Sequence, residues 1–319
     1  MLRIFRTNVV LQIFIILIVA VLMWIGVFIH PRPTPIEGGG QLYYWITGLL
    51  SPLASTIIAF VLVIVEGVQL NSMLYRHKMM TQSSLMPLLF YIIAMSIGRP
   101  TLTPMLLGSL FLIIGMSQLM LTTTLLSLDL DKIFGASASI ACATLFCPAM
   151  AVFLVPLIAN MFNFSLYGWR DWTMLILGIL APYIVLETYY YMVDELFYRN
   201  YLILYGLTDI NWSVGGSLID WIGSLIFLLL FVVGFGSTVI NGQNKTINFK
   251  KNLTAILLFT VGSILFTLYT HIFPIHTQAF AIPFALCTTL LFVDPKRDVW
   301  WQNLIFVLVI VAFVIWNLI

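Results

Sequence analysis

Long apolar runs, separated by short polar or Pro/Gly segments, follow one another along nearly the whole chain. Most of these runs can cross about 30 Å of hydrocarbon as a helix, and they lack the alternation of barrel strands. Only helices and closed barrels satisfy their backbone hydrogen bonds inside lipid. The pattern therefore predicts an all-α, polytopic transmembrane helix bundle. The predicted spans are residues 8–29, 49–71, 83–98, 104–128, 172–193, 217–240, 252–271, 277–293 and 302–318.

The composition excludes a water-soluble fold. Of the 319 residues, 61% are hydrophobic and only 8% are charged, whereas a soluble domain carries about 25% charged residues. We predict a single integral membrane domain over residues 1–319. The first span follows Arg3 and Arg6 and is longer than the apolar region of a signal peptide, so we expect it to be retained.

One apolar region, residues 134–167, contains Cys147-Pro148 and Pro156 and crosses the membrane either once or twice. Cytoplasmic loops carry an excess of Lys and Arg, and this rule separates the two alternatives. One crossing gives ten spans and divides the cations six against eight, whereas a short hairpin gives eleven spans and divides them eleven against three. The three outer cations are then Arg32, Arg99 and Arg199. We therefore predict about 11 crossings and a cytoplasmic N-terminus, and a re-entrant segment at 134–167 would leave this topology unchanged.

Acidic residues inside spans are costly in lipid and usually face a cavity or a polar partner. Glu66 is one such intramembrane acid, and it either bonds to a neighbouring helix or contacts a proton or substrate. Glu187 follows Pro182 near the predicted outer end of its span. Tyr190 and Asp194 lie on the same helical face as Glu187, and Tyr191 is one turn away. This acidic and aromatic stripe suits either a polar headgroup or sugar, or an ordinary membrane-interface belt.

Other polar residues collect on the predicted outer face. Glu37 and Glu187 are candidate catalytic bases, if the chain is an enzyme at all. Arginine binds phosphate bidentately, so Arg99 and Arg199 are candidate contacts for a phosphate group. The remaining candidate substrate-binding residues are Tyr190, Tyr191, Asp194, His271 and His276.

Several function classes lack support in the sequence. His77 lies in the predicted cytoplasmic loop and the other three histidines lie outside, so they do not converge, and we predict no metal and no other cofactor. The cysteines form no metal-binding spacing. Phosphate-binding glycine motifs and basic patches with aromatic residues are missing as well, so we predict neither a nucleotide nor a nucleic-acid partner.

Four segments resemble an uncharacterised family of multipass inner-membrane proteins of Gram-negative bacteria. They are NSMLYRHKMM, SLMPLLFYIIAMSI, DKIFGASASIACATLFCPA and WRDWTMLILGILAPYI, in that order over roughly the first two-thirds of the chain. The resemblance implies a location in the bacterial inner (cytoplasmic) membrane and no specific activity. A looser similarity links the chain to glycosyltransferases that use polyprenyl-phosphate sugars. It implies Glu37 as the acid of the first outer loop and Arg99 as a phosphate contact.

Three functions remain open from the sequence. The first is handling of a lipid-linked envelope glycan or lipid at the outer leaflet, by transfer, polymerisation or flipping. The second is a non-catalytic subunit or scaffold of an envelope membrane complex. The third is a secondary transporter, with Glu66, Glu187 and the Pro-containing hairpin at 134–167 as its coupling and gating parts. The partners expected are membrane lipids, and in addition either a lipid-linked glycan or other membrane subunits.

Overall fold

A computed structural model describes residues 8–35, 38–80, 84–96, 101–121, 130–194, 218–242, 245–270, 275–293, 306–308 and 310–311. All regular elements of these residues are helical. The helices are α1 (Val9–Ile29), α2 (Gln41–Thr47), α3 (Pro52–Arg76), α4 (Met86–Met95), α5 (Pro104–Leu121), α6 (Leu130–Phe146), α7 (Leu154–Asn163), α8 (Trp169–Met192), α9 (Leu218–Gly242), α10 (Ile247–Thr270) and α11 (Ala281–Val293), with 3₁₀ helices at Pro148–Phe153 and Ile275–Phe280.

Six of the helices are long and apolar enough to cross a membrane, which confirms the prediction of a multipass helical membrane protein. They are α1, α3, α5, α8, α10 and the part of α9 from Gly223 to Ile240. The shorter apolar helices lie at Met86–Met95, Pro148–Asn163 and Gln278–Phe292. Large apolar side chains of the long helices remain exposed, as expected where lipid is the solvent.

The ends of the helices meet in two groups at opposite ends of the bundle. At the first end, which we call the Arg76 end, the Leu85 amide donates to the Gln12 side chain at 2.8 Å. At the second, the Ser96 end, the Trp24 indole donates to Ser96 at 3.0 Å. These two contacts show that α1 and α4 run in the same direction. Helix α3, which lies between them in the chain, therefore runs in the opposite direction.

Helices α6 and α8 also run in the same direction. Ser137 of α6 lies against Gly178 of α8, and farther along both helices the Thr144 and Tyr183 hydroxyls are 2.5 Å apart. The chain between them therefore reverses. It does so through the 3₁₀ helix and α7, because Asn163 at the end of α7 donates to the Lys251 carbonyl at the start of α10, at the Arg76 end. Residues 134–167 thus contain two helices of opposite direction.

The centre of the bundle is α4, in which every residue from Met86 to Met95 is buried. It packs against α3 at Gly67, where an added Cβ would collide with Leu88. On its other side, Phe90 contacts the rings of Phe284, Phe292 and Phe306. A helix that is apolar on all sides suits this position, since protein surrounds it.

Helix α2 closes the Ser96 end over the last turn of α6. The Gly40 amide donates to the Phe146 carbonyl at 2.7 Å, so it satisfies one of the carbonyls that a helix leaves unpaired at its end. A Cβ at Gly40 would overlap the Leu145 carbonyl, and this close approach of two backbones requires glycine. The Tyr43 hydroxyl lies 2.7 Å from the Pro35 carbonyl and 2.9 Å from the Leu102 carbonyl, so its one proton has two acceptors, and both contacts hold α2 against its neighbours.

Candidate functional site

Glu66 is the acid that the fold buries completely. It lies ten residues before the end of α3 at Arg76, and its side chain has no exposed surface. Gly67, the next residue, allows α3 and α4 to approach closely. The carboxyl group therefore points into the contact between α3, α4 and α5, away from lipid.

Two hydroxyl groups bind the Glu66 carboxyl group, one from each neighbouring helix. The Tyr91 hydroxyl of α4 donates to Oε2 at 2.5 Å, and the Ser109 hydroxyl of α5 donates to Oε1 at 3.0 Å. Within the described part of the chain, Glu66 forms no ion pair with a lysine or arginine. Burial of an acid without a cation is costly for its charged form, so the gain or loss of a proton changes the energetics of this site strongly.

The Ser109 hydroxyl has two acceptors but only one proton. Its Oγ is 3.0 Å from Glu66 Oε1 and 2.7 Å from the Leu106 carbonyl. A charged Glu66 accepts the Ser109 proton. A protonated Glu66 can instead donate to Ser109, which then donates to Leu106. The two protonation states of the acid thus correspond to two orientations of one hydroxyl group.

Ser109 also lines a narrow cavity of about 10 Å³, which is close to the space that one water molecule needs. Ser263 of α10 and Gln278 of the second 3₁₀ helix supply its other polar groups. The apolar part of the wall includes Met105, Met116, Phe153, Phe259 and Ile282. Ser109 is therefore the residue that connects the cavity to Glu66.

Both 3₁₀ helices border this cavity. The first begins at Pro148 after extended Cys147 and ends at Phe153 in the cavity wall. The second, Ile275–Phe280, contributes Gln278, which the Thr103 hydroxyl approaches at 3.4 Å. Thr103 precedes α5 at the Ser96 end, so polar groups extend from that end through Gln278 towards Ser109. Each 3₁₀ segment leads directly into a short apolar helix beside the cavity, at Pro148–Asn163 and Gln278–Phe292.

A second buried titratable group lies at the Arg76 end. His77 follows α3 three turns beyond Glu66 and on the same helical face, with Leu70 and Met73 between them. It is 5% exposed and neither ring nitrogen makes a hydrogen bond of good geometry, although the Ser117 backbone is close enough to favour the protonated ring. Burial, assisted by the charge of Arg76, lowers the pKa of His77 to about 4.

The residues predicted for the outer face are not gathered into one described site. Glu187 is half-buried on α8, which is the least buried of the six long helices. Tyr190 is buried, whereas Tyr191 and Asp194 are exposed. Glu37, Arg99, Arg199 and His271 lie outside the described residues, as does the side chain of His276. These assignments stay predictions.

Sequence reasoning singled out Glu66 but missed Tyr91, Ser109 and Gln278. Tyr91 and Ser109 are polar residues within apolar runs, which was the available signal, but nothing in the sequence indicated that they meet Glu66. A search of the described residues for three or more clustered His, Cys, Asp or Glu side chains that could hold a metal ion found none.

Comparisons of the chain with known protein families, with characterised proteins and with solved structures found no match. The family resemblance drawn from the sequence motifs therefore stays a prediction. Function has to be argued from the site itself.

Proposed function

We propose that this chain is a secondary transporter of a small polar solute, in which protonation of Glu66 is coupled to transport. The observation that carries the proposal is the arrangement of Glu66, Tyr91 and Ser109, which joins a buried acid through one hydroxyl group to a small, mainly apolar cavity. Protonation reorients Ser109 in the cavity wall, so the state of the acid affects what the cavity binds. The short apolar helices beside the cavity, Pro148–Asn163 and Gln278–Phe292, are the elements that we expect to move during transport.

The proposal includes a topology of eleven crossings, with the N-terminus and the Arg76 end in the cytoplasm of a bacterium and the protein in its inner membrane. Its support is the distribution of charge. Of the eight described lysines and arginines, Arg32 follows α1 at the Ser96 end, whereas the other seven lie in segments that reach the Arg76 end. These seven are Arg76, Lys78, Lys132, Arg170, Lys245, Lys250 and Lys251. Cytoplasmic loops carry such an excess.

The topology can be tested by cysteine labelling in cells. Replacement of Cys142, Cys147 and Cys287 by alanine gives a background without native thiols. A cysteine introduced at Lys245 should react with a membrane-impermeant maleimide only after the cells are permeabilised, whereas one at Leu49 should react in intact cells. The opposite pattern would overturn the orientation.

The transport proposal is tested with purified protein in vesicles that contain a pH-sensitive dye. A panel of small sugars, amino acids and organic acids is added outside, and the internal pH is recorded. At least one solute should move protons with the wild-type chain and none should do so with Glu66→Gln. Solute-driven proton movement that is unchanged in Glu66→Gln would contradict the role of the acid. The lack of any response with the wild type across the panel would count against transport.

A second candidate function is the handling of a lipid-linked glycan at the outer leaflet. The observation that favours it is the position of Glu187, half-buried on the most lipid-exposed long helix, one turn before exposed Tyr191. A substrate anchored in the bilayer could approach this acid from the side. Replacing Glu37, Arg99 and Glu187 singly, followed by analysis of envelope glycolipids, tests this candidate. Normal glycolipids in all three strains would exclude it.

A further inference from the structure

The C-terminal end of α7 brings together the first turns of α8 and α10 at the Arg76 end. The rings of Phe162 and Trp172 are 5.7 Å apart, which joins α7 to α8. The Asn163 side chain donates to the Lys251 carbonyl at 3.0 Å, which joins α7 to α10. The starts of two membrane helices are therefore held against the same end of α7.

Three cations lie near the starts of α8 and α10. Arg170 and Lys250 are exposed and Lys251 is half-exposed, and none of the three forms an ion pair with an acid of the described residues. The acid next to Arg170 in the chain, Asp171, is buried, and its carboxylate accepts a hydrogen bond from the Gly168 amide at 3.0 Å. The Asp171 carboxylate thus caps the start of α8 and does not pair with the Arg170 guanidinium.

Exposed aromatic residues accompany these cations. Tyr167 and Trp169 are 64% and 73% exposed. Tyrosine and tryptophan side chains are enriched in the headgroup region of a bilayer. The Arg170 guanidinium lies 5.7 Å from the centre of the Trp169 ring, so cation and aromatic ring form one unit.

We propose that the basic aromatic surface, formed by Tyr167, Trp169, Arg170, Lys250 and Lys251, binds the headgroup of an anionic phospholipid in the cytoplasmic leaflet. The positive charge selects a phospholipid with net negative charge over a zwitterionic one. The guanidinium of Arg170 suits two phosphate oxygens, whereas Lys250 and Lys251 act as point charges. The aromatic rings rest among the glycerol and upper acyl carbons. The assignment to the cytoplasmic leaflet rests on the proposed topology, whereas the binding surface itself is separate from the Glu66 site and does not depend on transport.

The test is native mass spectrometry of the purified full-length chain, with phosphatidylglycerol and phosphatidylethanolamine of matched acyl chains as probes. The wild-type chain should retain phosphatidylglycerol more strongly. A cation that contacts the bound anionic headgroup contributes about 1 kcal/mol, which corresponds to about five-fold in affinity. We therefore expect about a five-fold loss of affinity for Arg170→Gln and about a 25-fold loss for Lys250→Gln combined with Lys251→Gln, if the effects add.

The matched control is Arg76→Gln, which removes one exposed cation from the same end of the bundle but from α3, which packs mainly on α4 and α5. Its affinity for phosphatidylglycerol should equal that of the wild type. Equal retention of the two probes by the wild type would overturn the proposal, as would an equal loss in Arg76→Gln and Arg170→Gln. Unchanged binding in the lysine double variant would overturn it as well.

Discussion

The substitution Tyr91→Phe tests most directly what holds α3 and α4 together. It removes the hydroxyl group that donates to Glu66 Oε2 at 2.5 Å and leaves the ring in place. Both residues are fully buried, so bulk water cannot replace the lost donor. The Glu66 carboxyl group then keeps only the Ser109 hydroxyl among its side-chain partners.

The expected loss of stability lies between two reference values. A buried polar group left without its partner costs about 1–3 kcal/mol. Hydrogen bonds between membrane helices average about 0.6 kcal/mol, with a maximum of about 1.7, since the unfolded chain in the membrane also finds partners. Because Tyr91 supplies one of only two hydroxyl donors to a buried acid, we expect a loss near the upper membrane value, about 1.5 kcal/mol.

Glu66→Gln is the matched control for this measurement. The amide oxygen of glutamine accepts from Tyr91, and its amide group donates to Ser109, whose own proton then turns to the Leu106 carbonyl. Both side-chain hydrogen bonds of Glu66 thus have a counterpart in the variant, so its free energy of unfolding should stay within about 0.5 kcal/mol of the wild type. Glu66→Gln therefore separates a loss of transport from a loss of folding.

The assay is reversible unfolding of the full-length chain in mixed detergent micelles, followed by the loss of helical signal. A double-mutant cycle uses Tyr91→Phe, Glu66→Leu and their combination. The combination removes both polar partners, so it should cost about 1.5 kcal/mol less than the sum of the single losses. Strict additivity, or a Tyr91→Phe protein as stable as the wild type, would refute the reasoning.

Three further predictions concern other parts of the fold. Gly40→Ala should lower the free energy of unfolding by about 1–3 kcal/mol, because the added Cβ overlaps the Leu145 carbonyl. The control is Gly26→Ala, whose Cβ meets no atom and which should be neutral or stabilising in the same unfolding assay. Since burial lowers the His77 pKa from 6.5 to about 4, the unfolded state binds the proton more readily, and stability should fall as the pH drops from 6.5 towards 4. Unfolding measured over a series of pH values should show that the free energy of unfolding falls by up to about 3 kcal/mol, and this fall should be missing in His77→Gln. Finally, Gly178→Ala should separate α6 from α8, since a Cβ there collides with the Ser137 side chain and the Phe134 carbonyl; thermal unfolding identical to wild type would contradict this contact.

The existence of the long helices was predictable from sequence because lipid demands long, uninterrupted apolar runs. The reversal within residues 134–167 was predictable as an alternative, since the positive charges of the loops discriminate between one and two crossings. What the sequence could not supply was the order in which the helices pack. Lipid and protein interior are equally apolar, so hydrophobic periodicity does not distinguish the face of a membrane helix that contacts protein. Helix α4 illustrates this, because nothing in its sequence separates a central helix from a lipid-facing one.

The positions of small residues carry part of the missing information. Gly67, Gly108, Gly115 and Gly178 each lie where a neighbouring helix approaches closely enough to collide with an added Cβ or to press against it. In a membrane, such contacts replace the hydrophobic effect as the basis of helix association. A search for small residues on one face of each span would thus have been a better guide to the neighbours of α3 than the charges at its ends.

The acid that matters for the proposed function was visible in the sequence, but its partners were not. The charge pattern favoured the residues of the predicted outer face because they are numerous. Glu66 is a single acid in its span, and its partners Tyr91 and Ser109 lie 25 and 43 positions away in the chain. A structural hydrogen bond and a proton-coupling site have the same geometry at rest. They differ in what Glu66→Gln does: a purely structural site loses nothing, because the amide reproduces both hydrogen bonds, whereas a coupling site loses its exchangeable proton. A stable Glu66→Gln chain that no longer moves protons would therefore assign function, and not only stability, to the contact of α3, α4 and α5.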